Sequence, residues 1–166
     1  MFLSDSDPQF EVIQSHFDAS TGATTDTRTA GAGQLFFALK GQNFNGNAYA
    51  QQAIEAGCIA AVVDENEYAP PGDPRFILVP DALAALQSLA RWHRRKWSCP
   101  VIGLTGSNGK TTTKELMKCV LEAAHSHVHA TVGNFNNHIG VPLTLLAART
   151  EPDIAIIEMG ANAQKE

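Results

Sequence analysis

The sequence predicts an α/β protein in two parts, a small mixed α/β domain followed by the start of a doubly wound parallel sheet. Three observations carry this. Short continuous apolar runs, such as "CIAAVVD" (58–64) and "DIAIIEMG" (153–160), are strands of the kind covered on both faces of a parallel sheet. Runs with helical spacing stand between them. The stretch "VIGLTGSNGKTTTKELMKCV" (101–120) passes from strand through a Gly-containing turn into a helix, the junction at which doubly wound folds place their sites.

The elements follow in chain order. The opening "MFLSDSDPQF" lacks the basic flank and apolar stretch of a secretion signal. "TTDTR" (24–28) and "QLFFALKG" (34–41) read as β-type runs separated by the turn-prone "TAGAG". "NAYAQQAIEAG" (47–57) reads as a helix ended by Gly57. After the strand 58–64 come a loop, "YAPPGDP" (68–74), and a buried strand, "RFILVP" (75–80). Asp81 begins a helix in which Leu86, Leu89, Ala90, His93 and Trp97 recur at helical spacing. His93 on that stripe reads as a packed residue. Arg91, Arg94, Arg95 and Lys96 lie largely off it and read as a solvated face near a helix C-terminus, with a phosphate-binding role as the other reading. A boundary near Leu83, with no flexible linker or repeat, gives domains 1–82 and 83–166.

Beyond Pro100 the rhythm is strand, turn, helix, strand. "VIGLT" is a buried strand, and in the helix after Lys110 the residues Thr113, Leu116, Met117, Val120, Leu121 and Ala124 share one face. "HVHAT" is a half-exposed strand, which explains the alternation of His125, His127 and His129 better than a metal site does. "GVPLTLLAA" is a short helix and 153–160 a further buried strand.

Composition narrows the function classes. Of 166 residues, 44% are hydrophobic and 17% charged, which fits a globular chain with a core. The net charge of −5 argues against a general nucleic-acid binder but leaves room for a local phosphate pocket. No apolar run reaches the length of a membrane span. Cys58, Cys99 and Cys119 show no metal-ligand spacing, and their apolar contexts suggest buried free thiols in a reducing cytoplasm.

The turn before Lys110 carries the chemistry. A strand-to-helix turn leaves the first helical N–H groups without partners and with partial positive charge. Gly106 and Gly109 let the backbone wrap an anion closely, Lys110 adds a full charge for the β/γ-phosphates, and Thr111 offers a hydroxyl to magnesium. The motif is T-G-S-N-G-K-T, shorter than G-x-x-x-x-G-K-[ST], with Leu104 at the position of the first Gly. A merely polar turn is the bland alternative; the strand before and helix after favour a nucleoside triphosphate.

Two further stretches add weight. "NFNNHIGVP" (134–142) clusters three Asn and one His, either as turn formers or as donors to substrate. "IAIIEMGAN" (154–162) ends a strand with Glu158, at the sheet edge expected to hold the phosphate loop. A magnesium-binding carboxylate is the favoured reading, and a buried Glu paired with a Lys or a helix end the other.

Together, "TGSNGKT", "NFNNHIGVP" and "EMGAN" resemble the Mur ligases of bacterial cell-wall synthesis, and "TTDTR", "LFFALKG" and "AIEAGCIAAVV" resemble the uridine-nucleotide-binding domain of their later members. "NNHIGVP" and "EMGAN" are most similar to the branch that adds D-alanyl-D-alanine. The resemblance implies a cytoplasmic enzyme with ATP and magnesium as cofactors. ATP phosphorylates the terminal carboxylate of UDP-N-acetylmuramoyl-tripeptide, and the amine of D-alanyl-D-alanine attacks the acyl phosphate. It implies that Thr105, Gly106, Ser107, Asn108, Gly109, Lys110, Thr111 and Thr112 cradle ATP, that Lys110 and Glu158 are catalytic, and that Thr111 and Glu158 ligate magnesium. Asn136 and Asn137 then lie near substrate or nucleotide. Thr25, Thr27 and Arg28, with Lys40, Gly41, Gln42, Asn43 and Phe44, hold the uridine diphosphate; Asn45 stands where many relatives carry Asp.

The family has three domains, and this chain stops soon after Glu158. The expectation is an N-terminal portion that is not a competent ligase alone. An uncovered strand edge would invite self-association of this portion, whereas the full-length enzyme is expected to be a monomer. Ligases of the folylpolyglutamate or cyanophycin type lack the "TTDTR…LFFALKG" pattern. A non-catalytic nucleotide-binding module is the reading from another class, against which Lys110, Thr111 and Glu158 argue.

Overall fold

The computed structural model describes residues 3–4 and 7–160, so Ala161 and Asn162 of the "EMGAN" stretch lie outside the described residues. The chain divides into two compact units, Met1–Leu89 and Ala90–Glu166.

The first unit runs α1 (Pro8–Ala19), β1 (Gly22–Thr24), β2 (Gln34–Phe37), β3 (Lys40–Gly41), β4 (Phe44–Asn45), α2 (Ala50–Glu55), β5 (Ala60–Val63) and β6 (Phe76–Leu78). Nothing in the expected element order anticipates α1. Its signals are nonetheless local: the Asp7 carboxylate accepts the Gln9 N–H at 2.9 Å and Pro8 opens the helix. Phe10, Ile13 and Phe17 then recur on one face and are fully buried. Each such burial contributes about 1.5–3 kcal/mol.

Four strands form a parallel sheet in the order β1-β2-β5-β6, with Ala23 opposite Leu35, Phe36 opposite Ala61 and Val62 opposite Ile77. Helix α2 covers one face through Ala50, Ala53 and Ile54, which meet Phe36, Ala61, Val63 and Phe76. Three local expectations need correction. The strand assigned to "TTDTR" lies earlier, at Gly22–Thr24, because the Asp26 carboxylate accepts the Arg28 backbone N–H at 2.9 Å and bends the chain into a turn. The "QLFFALKG" strand stops at Phe37, and Lys40–Gly41 pairs instead with Phe44–Asn45 in an antiparallel hairpin. The helix expected over 47–57 begins as a 3₁₀ turn, Gly46–Tyr49.

Helix α3 (Ala82–Arg95) includes the division between the units. Asp81 caps it, accepting the Ala84 N–H at 2.9 Å. Its expected stripe, from Leu86 to Trp97, is buried throughout. His93 donates from Nε2 to the Ala148 carbonyl at 2.7 Å and meets Trp97 edge-on, as a packed residue should.

The second unit continues with β7 (Val101–Leu104), α4 (Lys110–Glu122), β8 (Val128–Ala130), α5 (Gly140–Ala147) and β9 (Ile154–Glu158). Its parallel sheet has the order β7-β9-β8, and the central β9 is buried along its whole length. β7 is an edge and is only partly covered, contrary to the expectation of a buried strand. The same geometry explains a second difference. On α4, Leu116 and Val120 are 65% and 71% exposed, and with Ile102, Met117 and Leu121 they line a shallow apolar groove. Among the described residues nothing covers this side. Of the cysteines only Cys58 is buried; Cys99 is partly covered and Cys119, on α4, is exposed.

Candidate functional site

The turn between β7 and α4 has the conformation its glycines suggest. Gly106 has φ +142° and Gly109 φ +77°, and a Cβ at either would meet nothing within 4 Å. Backbone conformation, not crowding, therefore calls for glycine here, and the loop surface stays open to close approach. Helix α4 starts without a side-chain cap, which leaves N–H groups of its first turn facing outward. The Lys110 ammonium donates to the Gly106 carbonyl at 2.6 Å and draws the loop closed on itself.

Opposite the loop stands Glu158. Its side chain is 1% exposed, at the carboxyl end of β9. The Thr111 hydroxyl donates to its Oε2 at 3.1 Å, and the Asn136 amide donates to its Oε1 at 2.9 Å. Residues Ser107 to Thr112, Asn136 and Glu158 line one open cavity of about 280 Å³. Three stretches scattered in sequence thus meet at one sheet edge. Asn137 acts elsewhere, since its Oδ1 accepts the N–H groups of Ile139 (3.1 Å) and Gly140 (2.8 Å) and starts α5.

The donor set suits magnesium. Glu158 and Thr111 offer hard oxygen atoms, and magnesium is commonly held by one or two carboxylates together with substrate phosphates and water. No group of three His, Cys, Asp or Glu residues that could cage a metal exists among the described residues.

In the first unit, the segments expected to hold a uridine diphosphate follow the carboxyl ends of parallel strands. Thr25, Thr27 and Arg28 follow β1, and the hairpin Lys40–Asn45 follows β2. Arg28 is engaged by Asp26 at 2.6 Å, and that guanidinium bond holds the Asp26 carboxyl down at about 2. Lys40 is paired with Asp64 at 3.0 Å and Glu65 at 3.3 Å. Gln42, Asn43 and Phe44 are exposed at the hairpin tip, where the Phe44 ring stacks on Tyr49.

Sequence reasoning missed the group that holds this hairpin. Asn47, 1% exposed, donates to Asp64 at 2.8 Å and to Asn45 at 2.9 Å, and accepts the Asp64 N–H at 2.9 Å. Asn45 donates to Glu65 at 2.8 Å, so an amide serves where a carboxylate would face another carboxylate. Burial pushes the Asp64 carboxyl up, but bonds from Asn47, Lys40 and the Ala82 N–H outweigh it and leave the group below its ordinary range. The one available signal was Asp64 itself, a charge ending an apolar strand.

A glycine-bearing loop between strand and helix of a parallel sheet, faced by a buried carboxylate, defines an α/β protein of the P-loop class. The family described as Mur ligase, catalytic domain matches residues 20–94, and that described as Mur ligase middle domain matches residues 104–166. The chain belongs to the Mur ligase family. It is 46% identical over 159 residues to the UDP-N-acetylmuramoyl-tripeptide–D-alanyl-D-alanine ligase of Bacillus subtilis, covering 96% of this chain and 34% of that one. It is similar to the structure of MurF from Acinetobacter baumannii, with a TM-score of 0.78 at 34% identity over 92% of this chain and 36% of that one. The MurF ligase of Thermotoga maritima, solved in complex with ADP, gives a TM-score of 0.76 at 30% identity over 89% and 33%. The chain spans about a third of the length of these relatives. No helix among the described residues is long and apolar enough to cross a membrane.

Proposed function

We propose that this chain supplies the uridine-nucleotide-binding and ATP-binding parts of a cytoplasmic ligase that joins D-alanyl-D-alanine to UDP-N-acetylmuramoyl-tripeptide through an acyl phosphate. The observation that carries the reading is Glu158, a buried carboxylate bonded to Thr111 in the cavity that the glycine-bearing loop lines. Loop amides and Lys110 bind and orient the phosphates; Lys110 exchanges its bond to Gly106 for one to phosphate oxygen. Magnesium, held by Glu158 and the Thr111 hydroxyl, would add positive charge where the transferred phosphoryl group carries negative charge. Catalysis of this kind rests on positioning and charge, so the chain needs no nucleophile of its own.

The first unit serves the other substrate. The turn Thr25–Arg28 and the hairpin Lys40–Phe44 lie at carboxyl ends of one parallel sheet, the edge at which such sheets bind ligands.

Calorimetric titration tests both halves. The chain should bind magnesium-ATP, with Lys110→Ala weakening it by about 10-fold to 150-fold, the worth of a hydrogen bond to a charged group. It should bind UDP-N-acetylmuramoyl-tripeptide in preference to UDP-glucose. Tight ATP binding by Lys110→Ala, or equal affinity for the two uridine nucleotides, refutes the corresponding half.

A further inference from the structure

Lys114 stands one turn beyond Lys110 on α4, and only 1% of it reaches solvent, although Thr113, Glu115 and Leu116 beside it are exposed. An ammonium group is kept out of water only where strong partners replace its hydration. Here Nζ donates to the Thr131 carbonyl at 2.6 Å and pairs with Glu115 at 2.9 Å. The Glu115 side chain is 60% exposed and undergoes no comparable desolvation, so Thr131 is the informative partner.

Thr131 follows β8 and is 2% exposed. Its backbone N–H donates to the Ile156 carbonyl at 3.0 Å, and its hydroxyl accepts the N–H of Glu158 at 2.9 Å. The Glu158 carboxylate in turn accepts from Thr111, three residues before Lys114 on the same helix. A closed circuit results: α4 through Lys114 to Thr131, across to Glu158, and back to α4 through Thr111. A methionine of similar length could fill the same volume, but it could not donate to the Thr131 carbonyl.

We propose that Lys114 is a positioning residue for the cation site, acting through Thr131 to fix the last residue of β9 so that the Glu158 carboxylate faces Thr111. The inference rests on the reading that Glu158 and Thr111 hold magnesium. It separates two lysines of one helix: Lys110 reaches for phosphate, whereas Lys114 sets geometry. A purely structural lysine would affect stability alone, and a positioning lysine must also affect the magnesium dependence of nucleotide binding.

The test uses the 166-residue chain with Lys114→Met, Thr131→Val and Thr131→Ser, titrated with ATP in the presence and absence of magnesium. Amide hydrogen exchange at Glu158 is followed by NMR in parallel. Lys114→Met and Thr131→Val should weaken magnesium-ATP by about 10-fold to 100-fold, as loss of a supporting partner does at metal sites, and leave metal-free ATP binding as in the parent. Both should speed exchange of the Glu158 amide, while Thr131→Ser, which keeps the hydroxyl, should match the parent in both respects. A folded Lys114→Met with the parent's magnesium increment, or with an equally protected Glu158 amide, overturns the proposal. If Lys114→Met does not fold, Lys114→Gln, whose amide falls one bond short of the Thr131 carbonyl, decides by the same two readouts. Should the parent chain bind no ATP, the phosphate-loop reading falls, and the exchange rate of Glu158 still decides whether Lys114 holds it.

Discussion

The Thr111 hydroxyl lies 3.1 Å from Oε2 of Glu158, a residue 47 positions further along the chain. One belongs to the first turn of α4 and the other to the last position of β9. Exposed Thr111 and buried Glu158 thus present neighbouring oxygen atoms to one cavity.

Glu158→Gln keeps the volume of that side chain and removes its charge. A buried carboxylate whose hydrogen-bond partners, Thr111 and Asn136, are neutral contributes little to folding. The substitution should therefore lower the affinity for magnesium-ATP by about 10-fold or more while the melting temperature stays within about 3 °C of the parent. Titration calorimetry and a thermal melt check the two halves; a large fall in melting temperature would make Glu158 primarily a folding residue.

Asn47→Ala should destabilise the first unit. The truncation leaves the Asp64 N–H without its acceptor and removes two donors from the group that ties the hairpin to β5. Stranding buried polar groups costs about 1–3 kcal/mol each, so urea denaturation should show a loss in that range. A loss below about 0.5 kcal/mol would mean that water replaces the amide at no cost.

His129 makes stability depend on pH. Burial depresses its pKa below the ordinary 6.5, the bond to the Thr144 carbonyl opposing that shift and the nearby His127 adding to it. The folded state thus holds the neutral ring, and the unfolded state binds the proton more readily. The stabilisation is complete above about pH 6.5 and is lost as pH falls through 6.5 toward the folded pKa. Melting temperatures at about pH 7.5 and about pH 5.5 should differ more for the parent chain than for His129→Gln. Equal differences would exclude this residue as the source.

Leu116 and Val120 give the chain an apolar face beside an open strand edge. Such surfaces associate. The chain should sediment as a concentration-dependent mixture of monomer and larger species, and Leu116→Glu with Val120→Lys should shift it toward monomer. Strict monomer behaviour of the parent across concentrations would contradict this.

Much of this architecture is legible along the chain because its causes are local. The turn Gly106–Gly109, the apolar run 154–157 and the stripe Leu86–Trp97 each declare an element through neighbouring residues alone. Helix α1 was equally local, in Asp7, Pro8 and the spacing of Phe10, Ile13 and Phe17, and shows that a polar opening segment can conceal a buried face.

Sequence by itself determined the parallel α/β class, the glycine-bearing turn before Lys110 and the carboxylate that ends β9, since each depends on residue types at short spacing. Tertiary structure alone decided that, among the described residues, β7 is an edge and the apolar side of α4 is open while Lys114 is buried, and that Asn136 joins the cavity whereas Asn137 accepts backbone N–H groups at the start of α5. The physical reason is that burial and hydrogen-bond partnership depend on which segments meet. A lysine's hydration is replaced by a carbonyl 17 residues away, and an asparagine's amide finds a carboxylate 22 residues away. Neither separation leaves a periodicity in the sequence.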